Sequence, residues 1–147
     1  MNFENERIKM RQVFIDAWQK QQAHHILEPL ERQLIDIIAL HPDYQKALND
    51  PEILHKEYST EENPFLHMSL HLGFIEQLTT NRPQGIHGIY QNLSKKYPDE
   101  HHVQHLMMNV MAEVIWEAQQ SNQLPNEFNY LNKLKKLISL ELQRWIF

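Results

Sequence analysis

Residues 27–41 read LEPLERQLIDIIALH. Within them Leu27, Leu30, Leu34, Ile37, Ile38 and His41 recur at steps of three and four, the period of one face of an α-helix. Pro29 fits a first helical turn, where its missing N–H would find no intrahelical partner in any case. Pro42 disfavours helical geometry in the residue before it, so this helix is expected to stop near Leu40.

The same period recurs on both sides. Upstream, from about Asn5 to Gln22, Ile8, Phe14, Ile15 and Trp18 share helical spacing with Arg11 or Gln12 and predict an amphipathic first helix. Downstream, residues 41–63 read as short helical turns and loop, with a small helix over Asp43 to Leu48 as the one regular candidate. Asn63 before Pro64 is a capping pair in the expected order, and it opens a third long helix to about Leu78. Pro83 to Lys96 forms a fourth. Pro98, Asp99 and Glu100 open a fifth, running to about Gln120, with acidic residues suiting the positive end of its dipole. The sixth carries Tyr130, Leu131, Leu134, Leu137, Ile138, Leu142 and Trp145 as one stripe, against Lys133, Lys135, Lys136 and Arg144. The expected fold is all-α, a single domain over residues 1–147, built as an antiparallel bundle of five or six helices.

Composition narrows the function classes. A formal charge of −5 gives no general phosphate-binding surface, so no nucleic-acid partner is expected. The absence of cysteine excludes disulfides, thiolate metal sites and a cysteine nucleophile. Three glycines in 147 residues leave little from which to build a Gly-rich phosphate loop, and nothing indicates a nucleotide or flavin. The opening MNFENERIKMRQVFIDAWQK lacks the apolar run of a secretory signal, and no stretch nears the roughly 18 apolar residues that a membrane span requires. A cytoplasmic location and no membrane partner are the expectation.

The sharpest chemical feature is NPFLHMSLH, residues 63–71, where His67 and His71 stand one helical turn apart on one face. Two imidazoles so placed can bind one cation, and without HExxH the zinc-protease mechanism lacks its base. On the fifth helix, His105 and Glu113 lie about 80° apart at 3.6 residues per turn and could reach a shared interior point. Glu31 shares the stripe of Leu34, Ile35 and Ile38. A carboxylate in the core must be paired, protonated or metal-bound. If the helices carrying them adjoin, Glu31, His67, His71, His105 and Glu113 form a His and carboxylate set of the kind found in di-iron and di-manganese bundles. Those proteins carry Glu-x-x-His on core helices, whereas the one ExxH here is Glu52 to His55 in a connection. A mononuclear site, or none, is therefore expected. Met107, Met108 and Met111, and likewise Trp18, Trp116 and Trp145, read as core packing.

Read in order, Trp18 with Lys20, Leu27 to Glu31, HPDY at 41–44, NPFLHMSLHL at 63–72, Glu76-Gln77, Arg82-Pro83 with Gly85-Ile86, His105 with Met108, and Glu113 with Trp116 to Gln119 resemble an uncharacterised bacterial family. That family is a domain of unknown function found mainly in proteobacteria, and the resemblance runs from the first helix to about Leu137. It carries no catalytic assignment to this chain. One departure stands at Gln104, where an acidic residue usually precedes His105; such an acid would orient the imidazole.

Two function classes follow. The first is a metal-binding helical protein with His67, His71 and His105 as nitrogen ligands, Glu31 or Glu113 as the oxygen ligand, and a divalent transition metal (zinc, iron or manganese) as cofactor. The second is a non-enzymatic interaction module whose buried His and Glu network is structural. In that case the C-terminal run RWIF, residues 144–147, offers an apolar patch for a protein partner or a homodimer.

Overall fold

The computed structural model describes residues 3–146, with side chains described over residues 4–139. Its helices are α1 Phe3–Gln22, α2 Pro29–Ala39, α3 Pro42–Leu48, α4 Pro64–Thr80, α5 Ile86–Ser94, α6 Glu100–Gln120 and α7 Glu127–Ile146. No strand occurs among the described residues, in agreement with the all-α expectation. Among the described residues the count is seven rather than five or six. The additional element is α3, and Pro42 explains it: the residue that ends α2 also supplies the fixed φ suited to the first position of the next helix.

The chain divides into two compact units, Met1–Leu72 and Gly73–Phe147, with the boundary inside the span of α4. In the first unit α1 packs on α2 and α2 on α3. Phe14, Ile15 and Ala17 of α1, Leu34, Ile35, Ile37 and Ile38 of α2, and Phe65 and Met68 of α4 are all buried. Phe14 and Phe65 meet edge to face at 6.0 Å between ring centres, the arrangement their quadrupoles favour. Arg11, one of the two residues that the periodicity leaves open for the inner face of α1, is 1 % exposed. Its Nη1 donates to the carbonyls of Ile53 at 3.2 Å, Leu54 at 3.2 Å and Lys56 at 2.7 Å. A guanidinium thus holds the irregular 49–63 segment against α1.

In the second unit α5, α6 and α7 pack on one another. Ile86, Ile89 and Leu93, then Val103, Met107, Met108, Met111 and Val114, then Tyr130 and Leu134 make its interior. The methionine cluster is core, as expected. Trp116 is not: it is 60 % exposed, because two residues beyond Val114 turn it about 200° from that buried side chain. Trp145 and the RWIF run lie outside the residues whose side chains are described.

Local caps fix the helix ends. Asn81 takes a left-handed φ of 51° after α4, and its Oδ1 accepts from the backbone N–H of Gly85 and His87, both at 3.1 Å. Asp99 caps α6 through the N–H of His101 at 3.0 Å and His102 at 3.3 Å. Removing that oxygen in Asp99→Ala strands two donors, and urea unfolding is expected to show a loss of about 1 kcal/mol. An unchanged urea midpoint would show the cap to be idle.

Candidate metal centre

The site begins at the break between α2 and α3. His41 precedes Pro42 and is held out of helical geometry, at φ −129° and ψ 75°. Its ring folds back on α2, where Nδ1 stands 2.7 Å from the carbonyl oxygen of Ile37. A carbonyl can only accept, so Nδ1 carries the hydrogen and Nε2 of the neutral ring presents its lone pair. His41 as a whole is 9 % exposed.

The other two imidazoles come from α4. Asn63 caps that helix, its Oδ1 accepting from the N–H of Phe65 at 3.0 Å and Leu66 at 3.2 Å. Pro64 occupies the first helical position, as expected. The helix is thereby set in a register that places His67 and His71 one turn apart and aims both at His41. Nε2 of His67 lies 3.0 Å from Nε2 of His41. The rings of His41 and His67 are 4.8 Å apart at 77°, those of His41 and His71 5.3 Å apart at 83°, and those of His67 and His71 6.0 Å apart at 87°. His71 is completely buried. These three histidines each offer one ring nitrogen, and the three nitrogens lie within 4.8 Å of one another. At bonds of about 2.0–2.1 Å, nitrogens around a tetrahedral ion stand about 3.3 Å apart, so small side-chain rotations would bring the three onto one ion.

Tyr44, one turn into α3, lies flat against His41 with ring centres 4.9 Å apart and planes 11° from parallel. Burial, and after it the Asp43 carboxylate, pushes the Tyr44 phenol up, so that it stays neutral at physiological pH.

Of the five residues singled out in the sequence, His67 and His71 are together in this group. His105 lies on α6 in the second unit, half-buried, its ring 4.0 Å from that of His101 one turn earlier. Glu31 is the third residue of α2, where its carboxylate accepts from the N–H of Glu28 at 2.9 Å and pairs with Lys20 at 2.8 Å. The Lys20 ammonium, then the Glu28 N–H, holds that carboxyl below its usual range. The group's folded pKa is depressed, so its small contribution to stability is present above the unfolded value and lost as pH falls through the folded one. Glu113, with 54 % of its side chain exposed, pairs with Lys133 at 3.0 Å; the same ammonium reaches Glu117 at 2.9 Å. His41 is the member that no motif in the sequence singles out. Its signal was its place as the last residue of the α2 stripe, three and four residues beyond Ile38 and Ile37, immediately before a proline.

No curated protein and no solved structure matches the chain. A family profile does, over residues 6–136, with the description domain of unknown function (DUF1841). That span is most of the 147 residues and takes in every histidine of the group, so the chain belongs to the DUF1841 family.

Proposed function

We propose that this chain is a cytoplasmic metal-binding protein that holds one divalent transition-metal ion through His41, His67 and His71. The observation that carries the proposal is the convergence of three imidazole nitrogens within 4.8 Å of one another among largely buried rings. Imidazoles are expensive to gather in an apolar interior unless something compensates, and a shared cation does so. The hydrogen bond from His41 to the Ile37 carbonyl supports the same reading, because metal-bound histidines are regularly oriented by a bond from their other ring nitrogen.

The donor set bears on which metal. Neutral nitrogen ligands suit zinc, iron, copper and nickel, whereas manganese and magnesium favour carboxylate oxygen. Glu31 and Glu113 are the carboxylates that would favour manganese, and each is paired with a lysine, Lys20 and Lys133. Zinc or ferrous iron is the proposed occupant.

A second reading draws on the run from the Ile37 carbonyl through His41 to His67, at 2.7 and 3.0 Å. Such a chain of hydrogen bonds can by itself fix one packing, which is what an interaction module without a metal would require. Elemental analysis of tag-free protein grown in metal-supplemented medium separates the two. About one transition-metal ion per chain is expected in the wild type, falling to background in His67→Ala and His71→Ala. Metal-free wild-type protein after such growth would sink the proposal and leave the structural network. His105→Ala, assayed in parallel, tests the remaining expectation that this residue is also a ligand.

A further inference from the structure

We propose that Tyr44 is a positioning residue for the metal centre, fixing the ring plane of His41 so that its Nε2 is presented to the ion before the ion arrives. This rests on the reading of His41, His67 and His71 as ligands and assigns a role to a side chain outside the ligand set.

An imidazole ligand has two torsions to settle. For His41 the Nδ1–H bond to the Ile37 carbonyl at 2.7 Å anchors one edge of the ring but leaves rotation about that anchor. The stack against Tyr44, 4.9 Å and 11° from parallel, removes the rotation, since an imidazole turned out of that plane would drive its edge into the phenol ring. The Tyr44 ring also stands edge-on to His67 at 5.8 Å and 70°, so one aromatic plate flanks two ligands. Local chain geometry gives Tyr44 this position: Pro42 starts α3 at once after His41, and the Tyr44 N–H returns to the His41 carbonyl at 2.9 Å. The ring is thus tied to the residue on which it acts. Arrangement of a ligand in advance lowers the ordering cost of binding, and side chains that orient a ligand typically change metal affinity by about 10- to 100-fold.

The test uses cobalt(II) as the probe, titrated into metal-free full-length protein and followed by its visible ligand-field bands, with affinity set by chelator competition. Tyr44→Phe keeps the plate and is expected to bind within about twofold of wild type. Tyr44→Leu removes it and is expected to weaken binding about 10-fold or more, with broadened bands from a less uniform site. Tyr44→Gln, a polar replacement suited to a half-buried position, guards against a Leu variant that fails to fold, as judged by circular dichroism. A ring-current shift of the His41 Hε1 proton retained in Tyr44→Phe and lost in Tyr44→Leu supports the same role. Wild-type affinity and bands in both Tyr44→Leu and Tyr44→Gln would overturn the inference while leaving the metal centre intact. Wild-type protein that takes up no cobalt would instead overturn the metal reading and this inference with it.

Discussion

Zinc added to metal-free protein at pH 7.5 is expected to raise the thermal midpoint, and His71→Ala is expected to abolish the rise. A ligand that binds only the folded state stabilises by RT ln(1 + [L]/Kd), about 2.7 kcal/mol at a hundredfold excess over Kd. For a chain of 147 residues that corresponds to roughly 5–10 °C. The effect should be large here because the proposed ligands are already gathered, with His41 and His67 3.0 Å apart. His71→Ala also opens a cavity at a fully buried position, so its metal-free midpoint falls as well. The informative quantity is therefore the difference between midpoints with and without zinc. His67→Ala, at a half-buried position with less packing to lose, keeps that comparison accessible.

Acid provides a second axis for the same experiment. Imidazole nitrogen must be unprotonated to ligate, so the zinc-dependent part of the midpoint is expected to shrink between about pH 7.5 and 5.5. A zinc response equal in wild type, His67→Ala and His71→Ala, or unchanged across that pH interval, would place the binding elsewhere on the chain.

The residues that were legible in the sequence and those that were not differ in kind. Helices α1, α2, α4, α6 and α7 follow from periodicity and caps, because burying an amphipathic stripe is local in sequence even though its partner is not. His67 and His71 were readable for the same reason: four residues on a capped helix is a geometric statement. His41 was not, because its ring direction depends on leaving helical φ and ψ at the α2 to α3 break, and periodicity stops where the helix does. Glu31 shows the converse case. Its spacing puts it on the α2 stripe, but in the first turn the unpaired backbone N–H of Glu28 competes for its carboxylate and Lys20 completes the neutralisation. Glu113 finds its cation twenty residues later on α7, a pairing that no local pattern announces. Pro42 both stops one helix and starts the next.

Arg11→Ala is expected to be strongly destabilising, lowering unfolding free energy by about 3–5 kcal/mol in urea titration. Arg11 is 1 % exposed and its guanidinium is pinned by three carbonyls, with its central carbon 5.0 Å from the ring centre of Phe65 and 5.7 Å from that of Tyr58. Truncation strands the carbonyls of Ile53, Leu54 and Lys56 and removes the cation from between two aromatic faces. All three bonds converge on one nitrogen, so the ammonium of Arg11→Lys, with three donors on a shorter stem, is expected to recover about half of the loss. The Arg7 pair with Glu57 at 3.2 Å ties the same segment at its exposed edge, and Arg7→Ala should cost under about 1 kcal/mol. The consequence reaches the proposed metal centre through chain continuity: the segment Arg11 holds leads directly into Asn63 and Pro64, which set the register of His67 and His71. Arg11→Ala is accordingly expected to lower zinc uptake at temperatures where the protein is still helical by circular dichroism. Full zinc uptake together with a loss of less than about 1 kcal/mol would mean that the carbonyls find water and that Arg11 is dispensable to the fold.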